Sequence, residues 1–173
     1  MVACHDHEKI KGIKGAIRYS CNNYFSILMK DFFDLDKFEK ASQAYDKWYS
    51  YVASFGLGSK IAKEFEYESK GNLPKKEYYD GLYKPGRWKA PTIISLSVGQ
   101  GELLMTPIQI ANVFSAIANK GHFISPHLIK KIDGLESPNF VNLDTNYIDI
   151  SSEHFNQVIN GLEEVVKQGT GAG

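Results

Sequence analysis

The sequence has little that would commit it to a charged or lipid partner. Twenty Lys and Arg cancel twenty Asp and Glu, so it carries neither the basic footprint of a nucleic-acid binder nor a polybasic membrane surface. No apolar run approaches the roughly twenty residues a membrane span requires. The N-terminus also lacks the apolar core of a signal peptide, and the chain is expected to be a soluble piece. Cysteine is scarce. Cys4 and Cys21 are the only two, and a single pair leaves a disulfide, a metal ligand beside a bystander, and two free thiols all open. Gly99-Gln100-Gly101 is not followed by the Lys-Ser/Thr of a phosphate loop, which argues against nucleotide binding there. His127 and His154 stand beside Pro and in a first helical turn, and no Ser/His/Asp order can be built from them.

With 43% hydrophobic and 13% aromatic residues among 173, the chain can bury a core and is not disordered. Its organising stretch is residues 91–121. Ile93, Ile94, Leu96 and Val98 form a short, partly β-branched apolar run that predicts a buried strand closing on a Gly-Gln-Gly turn. Thr106, Pro107 and Gln109 then supply an N-cap, a first-turn proline and a capping-box partner. Ile110, Val113, Phe114 and Ile117 are the expected buried face of the helix that follows, and Gly121 its left-handed stop.

Upstream, Ile10, Ile13, Ala16 and Ile17 predict one short helix. A second begins near Tyr24, with Phe25, Leu28, Met29, Phe32 and Phe33 as its apolar positions. The polar junction Ser20-Cys21-Asn22-Asn23 suits helix capping, because short polar side chains compete for backbone hydrogen bonds. Phe38, Tyr45, Trp48, Tyr49, Val52 and Phe55 form an amphipathic helix that stops at Gly56-Leu57-Gly58. Residues 64–89 shift to charges, Gly, Pro and Tyr and read as a long surface excursion, with 74–79 a solvated face. Beyond residue 121, short extended pieces around 122–132 and 140–150 precede a last helix. Ser151 or Ser152 caps that helix, and Phe155, Val158, Ile159, Leu162, Val165 and Val166 are its apolar positions. Cys4, His5 and His7 give the N-terminus metal-ligand density, and a structural zinc completed from elsewhere is one reading of it. A polar, partly frayed terminus is the other.

Ser97-Val98-Gly99-Gln100-Gly101-Glu102, Thr106-Pro107-Ile108-Gln109-Ile110-Ala111-Asn112 and Pro126-His127-Leu128, in that order, resemble the transpeptidase domain of class B penicillin-binding proteins. The form is that of the penicillin-binding protein 2 (elongation) type in Bacteroidetes-like bacteria, and the resemblance runs over nearly the whole chain. It implies an α+β fold: the mainly helical lobe of a serine transpeptidase, related to β-lactamases, plus short strands. Residues 10–58 would form the helical segment, 59–90 the excursion, 91–121 strand, turn and core helix, 122–150 extended segments, and 151–173 a C-terminal helix with a truncated end.

In this family a nucleophile Ser-x-x-Lys, a Ser-x-Asn and a Lys-Thr-Gly share the site. Ser20-Cys21-Asn22 matches the second of these. The resemblance makes Ser20 a proton relay to the leaving amine, since a hydroxyl both donates and accepts. It makes Asn22 the substrate-orienting amide, and Cys21 is assigned to packing. No Ser-x-x-Lys and no Lys-Thr-Gly occur, and Lys167-Gln168-Gly169-Thr170-Gly171 reads as a helix stop. The expectation is therefore an internal fragment carrying one of three motifs, inactive alone because neither acylation nor oxyanion stabilisation has its groups.

By the same resemblance the parent is a D,D-transpeptidase that cross-links peptidoglycan stem peptides through a serine acyl-enzyme and is acylated by β-lactams. It needs no cofactor for catalysis. It is expected on the periplasmic side of the cytoplasmic membrane, beside a glycan polymerase of the elongation machinery. The alternatives are a non-catalytic scaffold or sensor domain and, behind it, a metal-dependent binding module built on residues 4–7.

Overall fold

The computed structural model describes residues 4, 6–62, 64, 66–127 and 145–172. Its elements run α1 (Gly12–Arg18), α2 (Asn22–Phe33), α3 (Ala41–Ser54), α4 (Lys76–Tyr83), a 3-10 helix (Ala90–Val98), α5 (Pro107–Ala118), β1 (His122–Ile124), β2 (Thr145–Tyr147) and α6 (Ser152–Gln168). The two strands pair antiparallel, with Phe123 opposite Asn146. Helices with a short antiparallel pair fit the expected mixed, mainly helical class. The extended pieces expected after His127 and around Phe140 and Leu143 lie outside the described residues.

Two apolar clusters hold the elements. The larger gathers Met29 and Phe33 of α2, Tyr45 of α3, Tyr79 of α4, Trp88, and Ile93 and Leu96 of the 3-10 helix. Tyr45 is its centre. Its ring meets Tyr79 and Trp88 edge-on, each at 5.4 Å between centroids, and its hydroxyl donates to the Pro74 carbonyl at 2.7 Å. Burial with a hydrogen bond satisfied is what an aromatic of this kind requires inside a core. The smaller cluster joins Ala116, Phe123, Ile148 and Phe155, so α5, β1 and α6 share one interior.

The stretch expected as a strand over residues 93–98 is instead the 3-10 helix. At three residues per turn, side chains three apart lie directly above one another. Ala90, Ile93 and Leu96 fall in one such row, and all three are buried. Pro91 sits in the first turn, and Gly99 closes the helix in the left-handed region at φ 71°. The run was legible as buried, but its period is three rather than two.

The excursion over residues 64–89 also contains an element, because α4 brings Tyr79 to 1% exposure within the segment expected to be solvated. In α2, Ser26, Met29 and Phe33 face inward, whereas Leu28, expected inside, is half exposed.

Helix α5 begins as its sequence predicts. Thr106 accepts from the Gln109 N–H at 3.3 Å, and Gln109 Oε1 accepts from the Thr106 N–H at 3.0 Å. Its buried face does not follow the apolar pattern. Gln109, Asn112 and Ala116 are inside, and Ile110 and Phe114 are exposed. The polar pair goes in because it has backbone to satisfy: Gln109 Nε2 donates to the carbonyls of Ser59 at 2.8 Å and Lys70 at 3.0 Å. Asn112 Nδ2 donates to Phe55 O at 3.0 Å. Carbonyls in the loop after α3 thereby gain donors, and supplying them outweighs burying two more apolar side chains.

Helices α1 and α6 lie against each other, though far apart in sequence. Their close approach rests on Gly161, where a Cβ would stand 2.8 Å from Ile17 Cδ1. Lys14 and Arg18 both pair with Glu164, at 3.2 and 3.7 Å.

Candidate functional site

The junction between α1 and α2 is a tight reversal. Ser20 N–H donates to Ile17 O at 3.0 Å, and Cys21 N–H to Ala16 O at 2.9 Å. The second bond is possible only because Ser20 takes φ 48°, a left-handed conformation uncommon for a residue with a Cβ and a form of strain that collects at functional positions. Ser20 is exposed. Its hydroxyl lies 2.9 Å from Thr170 Oγ1, and either oxygen can donate. Thr170 is brought there by the end of α6: its N–H donates to Arg18 O at 3.2 Å, and Arg18 Nη2 donates to Gln168 O at 3.3 Å.

Asn22 opens α2 and is half-buried. A serine hydroxyl and an asparagine amide are thus carried on one rigid corner, and the hydroxyl has a second hydroxyl within proton-sharing distance. Thr170 did not emerge as a site residue from sequence. The only sequence signal for it is Gly169-Thr170-Gly171 at the close of an apolar helix, which also fits a plain helix stop.

Cys21 is buried at 3% exposure, as its assignment to packing expects, but it does more than pack. It is the N-cap of α2, its sulfur accepting the Tyr24 N–H at 3.4 Å, and that sulfur belongs to a cluster. Cys4 Sγ lies 3.7 Å from Cys21 Sγ and 3.3 Å from His7 Nε2, and all three donor atoms fall within 4.8 Å of one another. His7 Nδ1 lies 2.8 Å from the Glu8 carbonyl. That contact sets Nδ1 as the protonated nitrogen and turns Nε2 toward sulfur. The ring stacks on Tyr19 at 5.6 Å.

Of the expected ligands Cys4, His5 and His7, the first and third meet, His5 lies outside the described residues, and Cys21 joins them from the Ser-x-Asn motif. The spacing suits zinc. With Zn–S near 2.3 Å and Zn–N near 2.05 Å, a tetrahedron has S···S edges of about 3.8 Å and S···N edges of about 3.6 Å, close to the two contacts of Cys4. Three donors leave one position for another ligand.

Burial opposes ionisation of the Cys4 thiol. The backbone N–H of Asn23 and the His7 side chain, helped by Cys21 and Asn22, more than offset it and lower its pKa below the ordinary thiol value. The Glu8 carbonyl first, and Cys4 second, raise that of His7. A thiolate is the form in which cysteine binds metal.

The chain is similar to known proteins over most of its length. Peptidoglycan D,D-transpeptidase MrdA of Acinetobacter baumannii is 28% identical over 160 residues, 91% of this chain and 22% of the relative. MrdA of Haemophilus influenzae is 33% identical over 89 residues, covering 51% of this chain and 14% of the relative. The chain thus spans under a quarter of the length of either. Among solved structures, PBP2 of Pseudomonas aeruginosa, crystallised in complex with WCK 5153, superposes with a TM-score of 0.69 at 28% identity, covering 91% of this chain and 33% of that one. The penicillin-binding protein transpeptidase domain family matches residues 3–173, and with both the fold and the sequence in agreement, this chain belongs to that family.

Proposed function

We propose that this chain is the Ser-x-Asn wall of a serine-type peptidoglycan D,D-transpeptidase. The parent protein attacks the D-Ala-D-Ala end of a stem peptide, forms an acyl-enzyme and transfers it to an amine on a neighbouring strand; β-lactams acylate the same serine. The observation that carries the reading is the exposed Ser20 hydroxyl, held in a strained backbone conformation at a corner between two helices. Ser20 passes a proton between the catalytic base and the leaving amine, and the Asn22 amide donates to the substrate carbonyl and orients it.

A nucleophilic serine with its lysine, and the strand bearing Lys-Thr-Gly, are supplied by other parts of the parent, since the sequence here has neither motif. Alone, the chain does not acylate. In this reading the parent sits at the cytoplasmic membrane with this domain on the periplasmic side, and works with a glycan-polymerising membrane partner. No described helix is long and apolar enough to cross a membrane.

Labelling by a fluorescent penicillin, followed by intact mass, tests this. A protein extended through both missing motifs gains one adduct and the 173-residue chain none. In the extended protein Ser20→Ala slows acylation by about a hundredfold or more, the scale of one acid–base group. An extended protein that folds but stays unlabelled favours the scaffold or sensor reading instead, and an unchanged rate in Ser20→Ala reduces Ser20 to a turn residue.

We propose further that Cys4, His7 and Cys21 hold a structural zinc, with a fourth ligand from outside the cluster. The bound ion supplies charge neutralisation for the two thiolates and ties the segment before α1 to the first turn of α2. Metal analysis of the purified protein gives about one zinc per chain, and Cys21→Ser loses it. Zinc absent from a protein prepared without chelator overturns the assignment.

A further inference from the structure

The same two sulfurs have a second chemistry that requires no metal. Cys4 and Cys21 are the only cysteines in the chain, both are free thiols, and their sulfurs lie 3.7 Å apart. A disulfide bond is about 2.05 Å long, so closure asks for an approach of about 1.7 Å. The two partners are unequal in how they can supply it. Cys21 is 3% exposed and fixed as the N-cap of α2 by the Tyr24 N–H. Cys4 is half-exposed in an irregular segment ahead of α1, where a change in backbone and rotamer disturbs no helix. An accessible sulfur and a buried one beside it are the arrangement of an attacking and a resolving thiol.

We propose that Cys4 and Cys21 close to an intrachain disulfide when no metal occupies the cluster, with a small-molecule or protein disulfide as oxidant. In the first step the Cys4 sulfur attacks one sulfur of the oxidant, forming a mixed disulfide and releasing one thiol that carries away a proton. In the second the Cys21 sulfur attacks Cys4 Sγ, the protein disulfide forms and the second thiol leaves with the second proton. The two protein thiols lose two electrons and the oxidant disulfide gains them. The bond takes both sulfurs away from metal binding and pins the segment before α1 covalently to the residue between Ser20 and Asn22. This inference concerns the metal-free chain and depends on neither the transpeptidase nor the zinc reading. On the oxidising side of a membrane it gives the Ser-x-Asn corner a covalent tie that needs no metal.

The test uses the 173-residue chain, reduced, stripped with a chelator that is kept present throughout, and exposed to oxidised glutathione. The expected product has lost two hydrogens by intact mass, leaves no thiol for N-ethylmaleimide, and yields the Cys4 and Cys21 peptides joined within one chain. A flexible chain with this spacing also closes at some rate, so the native reaction is compared with that in concentrated guanidinium. Preorganisation makes the native closure about tenfold faster or more. Cys21→Ser halts at the first step and keeps one glutathione on Cys4. Two glutathione adducts retained on the native chain, a disulfide-linked dimer, or equal native and unfolded rates would each overturn the proposal.

Discussion

Tyr45 and Tyr79 show what single side chains contribute beyond area. Burial, then the neighbouring Tyr79, raises the Tyr45 pKa above the ordinary phenol value. Burial, then the Glu102 carboxylate, does the same for Tyr79, whose hydroxyl reaches Glu102 Oε2 at 3.2 Å. A raised folded-state value means the neutral phenols stabilise the fold fully below the unfolded pKa of about 10, and that contribution is lost as pH climbs above it. Tyrosinate absorbance followed with pH is therefore expected to rise in two stages, with these two rings ionising only as the chain unfolds. In Tyr45→Phe the late stage shrinks, and the Pro74 carbonyl loses its donor at a cost of about 1–2 kcal/mol. Tyr45 was legible as core from its place in an amphipathic helix. Tyr79 was not, because the charges around it describe the face of α4 that remains in solvent. Ser20 and Asn22 were singled out through their motif. Thr170 and the clustering of Cys21 with Cys4 and His7 were not, since local spacing carries no information about contacts made across a fold.

Among the elements, α5 separates what sequence says well from what it says poorly. Its cap needs only neighbouring residues, and Thr106, Pro107 and Gln109 declared it. Its orientation depends on where the loop after α3 leaves carbonyls without donors, and that is decided elsewhere in the chain. Gln109→Met keeps the volume but removes the amide, leaving the Ser59 and Lys70 carbonyls and the Thr106 N–H without their partner. Urea unfolding should show a loss of about 3 kcal/mol, whereas Ile110→Ala on the exposed side should change little. The 3-10 helix gives the converse case. Ile93 is fully buried, and Ile93→Ala should cost about 2–5 kcal/mol with a drop in midpoint. The buried strand expected from the sequence would have put Ile94 at equal risk, but Ile94 only packs against the cluster's edge, so Ile94→Ala should cost less.

For the molecule as a whole, the contact of α1 with α6 makes the Ser20 corner a shared structure. Gly161→Leu would drive a side chain into Ile17, and overpacking of this kind costs about 1–3 kcal/mol. The more telling readout is the Thr170 amide, which is held by Arg18 O. Its hydrogen exchange should accelerate by about tenfold or more if α6 is displaced, and unchanged exchange would show that the two helices do not act together. The overall class, helices with short strands in a transpeptidase lobe, was readable from the order of motifs along the chain, but this pairing of its beginning with its end was not.

The partners Ser20 and Thr170 are separated by 150 residues. Closing a contact of that span follows the local helices in time, because the chain entropy it removes is recovered only once both surfaces exist. The corner that holds Ser20 and Asn22 is thus finished last: a chain emerging N-terminus first has formed α1 and α2 long before α6 arrives to complete their surroundings. Until then the apolar side of α1 stays uncovered, and this interval is when the domain is most open to a chaperone or a protease.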